Sequence, residues 1–354
     1  MDDSADSHVG SAVGEASPLS VIVVGYESAG ALRRTLPALV EELRDDDELI
    51  VCDNASSDGT ATVARELAPL AVVLEAGGNV GFGAGCNLAA GHARNELLLF
   101  LNPDNLVAKG FRDAIELPLI EGRGWAAWQG LVTDHGGALL NSLGGAVHFT
   151  GIAWAGGAGL ARAAAPGAPR EVPFASGACL AIRRDAWEEL GGFSELYFLY
   201  HEDTDLGLRL WLAGHRVGLE PRALCDHEYE FSKGAHKWRY LERNRWATIF
   251  RTYPTRLLMA LAPALLATEL ALLVVATLGG WLPEKLRANA EAIRWLPRLL
   301  RERRAIQSSA KIDAPAFAEH LVPDLNSAYL GRAAGSRTLR FLLRAYWRTA
   351  LRLL

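Results

Sequence analysis

The chain has 354 residues, half of them hydrophobic, with 35 Gly and 15 Pro, so a packed core is expected and wholesale disorder is excluded. The formal charge of -5 conceals an asymmetry: residues 1–256 hold 22 basic against 34 acidic side chains, and residues 283–354 hold 14 against 6. The acidic body argues against a nucleic-acid binder, while a basic tail beside an apolar stretch suits the anionic head groups of a membrane's inner leaflet.

Residues 1–17 are acidic and rich in small side chains, with no basic and apolar run of the signal-peptide kind, and read as a disordered leader. From Leu19 the pattern turns to strand and helix in alternation. Leu19–Gly25, Glu48–Cys52, Leu70–Leu74 and Glu96–Leu101 are short apolar runs; Ala31–Leu43, Asp58–Leu67 and Gly83–Ala93 have helical spacing. Buried strands alternating with helices imply βαβ units, hence an α/β fold with a mostly parallel sheet flanked by helices. Residues 125–170, rich in Gly and Ala, read as irregular loops or short hairpins. A strand and helix follow at Ala178–Arg183 and Asp185–Leu190, then a helix near Asp203–Ala213, a strand near Arg216–Glu220 and a helix at Lys237–Tyr253. The four cysteines are far apart in apolar or small-residue surroundings and read as reduced, buried thiols.

Leu257–Leu282 holds one charge, Glu269, in 26 residues. As a helix it would measure roughly 39 Å, enough for a hydrocarbon core of about 30 Å. Pro263, Glu269 and Gly279-Gly280 weaken a simple span, and basic residues flank both ends, so a span would put one basic flank on the wrong side. A monotopic helix pair with both ends cytoplasmic removes that conflict; a span and a buried soluble helix stay open. At the far end Arg337, Arg340, Arg344, Arg348 and Arg352 form one helical stripe, which fits either docking on protein or lying in a membrane interface. The division expected is a catalytic domain at 18–253 and a helical, membrane-associated region at 254–354.

Motifs stand at the expected ends of the strands. Val24-Gly25-Tyr26-Glu27 closes the first, and Cys52-Asp53-Asn54-Ala55-Ser56 the second. The loop Asn79-Val80-Gly81-Phe82-Gly83-Ala84-Gly85-Cys86-Asn87 follows, and Leu101-Asn102-Pro103-Asp104-Asn105 ends the fourth strand. Later come Ser176-Gly177-Ala178, Gly191-Gly192-Phe193, Tyr200-His201-Glu202-Asp203-Thr204-Asp205 and His227. Ligands of open α/β sheets bind at this edge.

In these motifs, and in their order, the chain resembles the family 2 glycosyltransferases, in particular their rhamnosyltransferase-like branch, from about Leu19 to Tyr253. The resemblance implies a GT-A-type fold and an inverting transfer of a sugar from a nucleotide diphosphate to an acceptor hydroxyl, at the cytoplasmic face of the cell membrane. The donor it implies is dTDP-rhamnose, with UDP-hexose, UDP-galactofuranose or another dTDP-sugar compatible with the same motifs. The acceptor is a glycan or a polyprenyl-linked glycan. Asp203 matches the family's base. Asp53 would accept the ring N3–H of a pyrimidine, and Tyr26, Glu27, Asn79, Gly81, Phe82, Asn87, Asn102, Ser176, Gly177 and Glu202 fall in the donor and substrate motifs.

Chemistry asks for such groups. Nucleotide-sugar transfer breaks an anomeric C–O bond while a diphosphate departs, and Mg2+ or Mn2+ bound by hard ligands can neutralise that leaving group. Asp104 is the carboxylate ligand implied, with His227 the second ligand. The family's Asp-x-Asp appears here as Asn102-Pro103-Asp104, without its first carboxylate.

Each residue also has a plainer reading. Asp104 suits a turn in Asn-Pro-Asp-Asn, Asp53 an Asx turn, Asp58 the cap of the second helix, and the Glu202-Asp203-Asp205 cluster a helix N-terminus. Asn87 reads equally well as a structural asparagine, and Glu202 and Asp205 as residues that orient the site. The basic and aromatic stretch Tyr229–Trp246 fits either a phosphate grip or a solvated helix face. Two other functions compete. A sugar nucleotidyltransferase would need bases directly after the first strand, where Gly25–Gly30 has none; an inactive scaffold has no need of Asp53, Asp104 and Asp203.

Overall fold

The structure, a computed structural model, describes residues 17–227, 234, 236–326 and 336–354. The leader expected at 1–17 therefore lies almost wholly outside the described residues, as do 229–233 and 235 of the basic and aromatic stretch.

Strands β1 (Leu19–Gly25), β2 (Glu48–Asp53), β3 (Val72–Glu75) and β4 (Leu97–Leu101) alternate with helices α1 (Ala29–Glu42), α2 (Thr60–Leu67) and α3 (Phe82–Ala90). Next come β5 (Asn105–Val107), α4 (Phe111–Ile120), β6 (Trp125–Asp134), β7 (Leu139–Ser142), β8 (Gly145–Val147), β9 (Ala153–Ala155) and β10 (Arg170–Glu171). Then come β11 (Cys179–Arg183), α5 (Arg184–Leu190), α6 (Glu202–Leu212), β12 (Arg216–His227) and α7 (His236–Thr252). Helices α8 (Thr255–Leu278), α9 (Leu282–Ser308), α10 (Ala314–Ala318) and α11 (Arg337–Leu351) follow.

The main sheet runs β10-β12-β6-β11-β4-β1-β2-β3. β4, β1, β2 and β3 are mutually parallel, and β6 and β12 run the same way, with β11 set antiparallel between β4 and β6. This is the mixed, mostly parallel sheet expected. Alternation of side chains divides two cores. Val21, Val23, Val51, Leu99 and Leu101 pack with Leu32, Leu36, Val63, Phe111 and Ile115 on the face of α1, α2 and α4. Ile22, Val24, Ile50, Leu98 and Phe100 pack with Cys86, Ala89, Trp187, Leu206 and Leu210 on the face of α3, α5 and α6. A strand covered on both faces is apolar at nearly every position, with the buried Ser20 and Glu48 bonded to each other, which is why these runs were legible. All four cysteines are free and buried, as expected.

One expectation is corrected here. The stretch 125–170 does not begin as loop: β6 is ten residues long and lies in the middle of the sheet. Its Trp-Ala-Ala-Trp-Gln-Gly pattern lacks β-branched residues because close packing requires small ones. A Cβ on Gly130 would lie 2.5 Å from the carbonyl of Ala223, and the Trp125 ring occupies the space beside Gly218. β12 also extends past Glu220, through an irregularity between Glu220 and Leu224, to His227.

A third core crosses from the sheet domain to the C-terminal helices: Phe149, Phe174, Leu208, Ile249 and Tyr253 pack with Leu257, Leu261, Leu265, Phe317 and Trp347. The apolar segment of the sequence is thus a helix whose first half shares a core with the sheet domain.

Candidate active site

Because β1, β2 and β4 are parallel, Tyr26, Asp53 and Asn102 emerge at one edge of the sheet. β11 starts at that edge, just after Ser176-Gly177, and β12 ends there with His227 opposite Asn105 of β5. Five separated motifs are thereby gathered by topology alone.

The tightest cluster joins three expected residues. His227 Nε2 lies 3.0 Å from Asp104 Oδ1 and 3.1 Å from the amide of Asn102. The imidazole is enclosed, while Asp104 keeps 27% of its side chain open. A single ring nitrogen facing a carboxylate oxygen and an amide group is a set of converging donors. A neutral imidazole lone pair and a carboxylate oxygen can both be turned to one divalent cation, and the Asn102 amide, whose nitrogen faces His227, would offer its oxygen as a further, neutral ligand on turning over. A diphosphate's oxygens would complete the coordination, so the residues fit the group. Among the described residues no three of His, Cys, Asp and Glu gather as a metal cluster, so the fit depends on those added oxygens. The flanking Asp226 is committed elsewhere: it accepts from Thr133 Oγ1 and from the backbone N–H groups of Gly136 and Gly137.

At the end of β2, Asp53 is buried and folded into a local turn. Its Oδ1 accepts from Ser56 N (3.2 Å) and Oγ (2.5 Å), leaving Oδ2 with a long contact of 3.4 Å to Ser56 N. Ser56 Oγ also accepts from Glu27 N, and the Glu27 carboxylate accepts from Ser57 N and Oγ. Tyr26 beside them is half exposed. Asp58 accepts from Ala29 N and Thr60 N, so it fastens the starts of two helices, in line with its capping reading. Asn54, which carried no role in the sequence, donates to Gly81 O and ties the second motif to the third.

The glycine loop is shaped by close approach. Gly81 has φ +87° and a Cβ there would meet the Phe198 carbonyl at 2.3 Å; that carbonyl accepts from Phe82 N. Asn79 Oδ1 receives the N–H of Gly81. Phe82 lies against Gly177, and Gly177 N donates to Asp203 Oδ2 at 3.1 Å. Ser176 receives its own support: its N–H donates to Gln129, and its Oγ accepts from Ala178 N. Ala178 O in turn accepts from Asn102 N. A path of hydrogen bonds and adjoining backbone therefore runs from Asp203 through Gly177-Ala178 to Asn102, His227 and Asp104. Asn87 uses both ends of its amide on the backbone of Phe193, fastening α3 to the Gly191–Phe193 turn.

Asp203 and Glu202 open α6. Asp203 also accepts from Thr204 N and stays partly open to solvent; Glu202 is enclosed, and its Oε2 has no hydrogen-bond partner. Burial pushes both carboxyls above their usual range, and for Glu202 the neighbouring Asp203 charge adds to the push. Asp205 is placed differently from its two acidic neighbours. It is sealed beneath the loop, accepting from Arg209 and Tyr197 and paired with Arg251, so it braces α6 against α7. No sequence signal distinguished it from its neighbours, because its cations lie 4 and 46 residues away. Asn244 of α7, also unforeseen, donates to the carbonyls of Leu199 and Tyr200, both at 2.8 Å, and so holds the loop that leads to Asp203.

Four non-glycine residues around this edge, Glu27, Ala55, Tyr200 and His201, have positive φ. Such strained backbone persists only where surroundings over-determine it, and here it borders the site.

The enclosed Glu202 has a measurable consequence. Its value is raised from 4.5 to about 8, so the fold favours the protonated form and loses stability as pH climbs through that window. Glu202→Gln stays neutral throughout. Its Tm relative to the parent chain is therefore expected to rise by several degrees between the bottom and top of that window, read by scanning fluorimetry. A pH-independent difference would show Glu202 to have ordinary acidity.

Residues 20–119 match the family model described as glycosyl transferase family 2, and residues 150–298 that described as glycosyl transferase family group 2. An N-acetylglucosaminyl-diphospho-decaprenol L-rhamnosyltransferase of Mycobacterium tuberculosis is 30% identical over 241 residues, covering 61% of this chain and 78% of that protein. Rhamnosyltransferase WbbL of Escherichia coli is 28% identical over 253 residues, 64% of this chain and 93% of that one. Among solved structures, GalNAc-T7 with UDP, GalNAc and Mn2+ aligns at a TM-score of 0.62 and 15% identity, over 88% of this chain and 58% of that chain, a likeness of fold alone.

Proposed function

This chain belongs to glycosyltransferase family 2, and we propose that its reaction is an inverting transfer of L-rhamnose from dTDP-rhamnose to a hydroxyl of a polyprenyl-linked glycan. The enzyme class follows from the family. The sugar is inferred from the names of the two rhamnosyltransferase relatives, the lipid-linked acceptor from that of the Mycobacterium tuberculosis relative alone, and the cytoplasmic membrane face from that acceptor class.

The observation that carries the proposal is the path joining Asp203 to Asp104 and His227 along one sheet edge. In the proposed step Asp203 takes the acceptor's proton, the acceptor oxygen bonds to the anomeric carbon, and the bond from that carbon to the diphosphate oxygen breaks. Attack from the face opposite the leaving group inverts the centre. Asp104 and His227, with Asn102, would hold Mg2+ or Mn2+, which when bound neutralises the departing diphosphate. Asp53, aided by the exposed Tyr26 ring, would receive the pyrimidine's N3–H on its less engaged oxygen. Gly81, Phe82, Ser176 and Gly177 bound the space between.

The test is a panel of dTDP- and UDP-sugars with purified enzyme, a lipid-linked acceptor and Mn2+, following nucleotide diphosphate release. Acceptor-dependent turnover of dTDP-rhamnose above all others is expected. Preference for a UDP-sugar would move the donor assignment and keep the mechanism; no turnover of any donor would end both.

A further inference from the structure

We propose that α8 lies in the plane of an anionic lipid surface, as a one-sided docking helix that brings the Leu199–Asp203 loop to the membrane; the purpose of that delivery rests on the lipid-linked acceptor proposed above. α8 is apolar and about 36 Å long, sufficient by length to cross a bilayer. A lone span, as α8 would be among the described residues, has every face in hydrocarbon. Here one face is committed to protein along the whole helix. Leu257, Leu261 and Leu265 belong to the core shared with Phe149 and Tyr253, and Ala276 is fully buried. Between them, Glu269 accepts from Lys285 and Asn289 of α9 and from Arg245 and Trp246 of α7. Just past the end of α8, Trp281 stacks on Trp238 of α7 with centroids 5.0 Å apart. Standing α8 across a bilayer would drag α7, with Lys237, Arg239, Glu242, Arg243 and Arg245, into hydrocarbon.

The opposite face has the reverse character. Met259, Leu266, Leu270, Val274 and Leu278 are each more than half exposed and form one stripe at helical spacing, and the small residues between them, Ala262, Pro263, Ala267 and Ala271, are exposed as well. Charge selects the occupant. α9 runs antiparallel beside α8, with Lys285 at Glu269 and Arg303 at Thr255, and exposes Arg287, Arg294, Arg298, Arg301 and Arg304. α11 packs on α8 through Tyr346, which donates to Ala260 O. Its arginines 337, 340, 344 and 348 line a groove of about 620 Å³ with Phe341, Trp347 and Asp324, which pairs with Arg344 and leaves the groove a basic excess. A second copy docked on this face would oppose two strongly basic regions. A plane of anionic head groups above acyl chains matches both the apolar stripe and its basic borders.

The link to the site is short. On α7, Asn244 holds the carbonyls of Leu199 and Tyr200, and the next two residues, Arg245 and Trp246, hold Glu269 of α8. One helix thus separates the lipid-facing stripe from the loop carrying the base.

Co-flotation of the full chain with phosphatidylglycerol-rich and pure phosphatidylcholine vesicles tests this. Binding is expected to the anionic vesicles, weakening with salt. Leu266→Glu with Leu270→Glu is expected to lower partitioning by about a hundredfold, and Arg337→Gln with Arg348→Gln by about tenfold. Both variants should keep nucleotide diphosphate release on a water-soluble acceptor analogue. Three results would overturn the proposal: vesicle binding absent in the parent chain or unchanged in the Leu variant, a dimer that the Leu variant dissolves, or a cysteine placed at Gly280 labelled from the far side of a sealed vesicle. Failed flotation with intact turnover sinks the docking alone; flotation without turnover sinks the enzymatic reading alone.

Discussion

Asp203→Asn is expected to lower kcat by about 10²–10⁴-fold while leaving donor affinity little changed, the span typical of removing a general base. The amide keeps the side chain's shape, and its one oxygen can keep one of the two N–H groups, of Gly177 and Thr204, that the carboxylate takes on separate oxygens; the loop gives up one hydrogen bond and should stand. What goes is the ability to take a proton. Burial raises the Asp203 carboxyl above its usual range, which strengthens it as a base. The acid limb of the parent enzyme's kcat/KM profile should therefore fall above the ordinary Asp value, and the residual activity of the variant should lack that limb. Equal turnover in parent and variant, with donor titrated by calorimetry, would remove Asp203 from the mechanism.

Asp104→Asn should have the second largest effect, a loss in kcat/KM of about 10²-fold or more together with a much higher Mn2+ requirement. The reason lies in the missing first carboxylate of the motif: Asn102 is neutral, so Asp104 is the sole anionic ligand that Asn102-Pro103-Asp104 can offer. His227, enclosed and set against Asp104 by a 3.0 Å contact, cannot replace that charge. Metal titrations of initial rate separate the possibilities. An unchanged Mn2+ optimum would mean that Asp104 forms a turn and nothing more.

Much of this arrangement was legible before the fold. The strands β1, β2 and β4 announce themselves because burial on both faces leaves little place for polar residues, and the motifs then fall at one edge by parallelism. β6 was hidden because its close neighbours demand Ala and Gly, the composition of a loop. Where His227 would come to rest was equally hidden, since it depends on a strand continuing past Pro221. Asp205 resembled its acidic neighbours until Arg209 and Arg251 closed on it. Glu269 looked like a flaw in an apolar segment; its cations come from α7 and α9, folded back against it. Positions fixed by periodicity were readable, and those fixed by partners distant in sequence were not.

The most direct measurement is a crystal structure of the enzyme with dTDP and Mn2+. The expected result has the cation bound by Asp104 and His227, the thymine N3 facing Asp53, and Asp203 left open across the diphosphate for an acceptor. A nucleotide bound away from the ends of β1, β2 and β4, or a cation without Asp104, would contradict it.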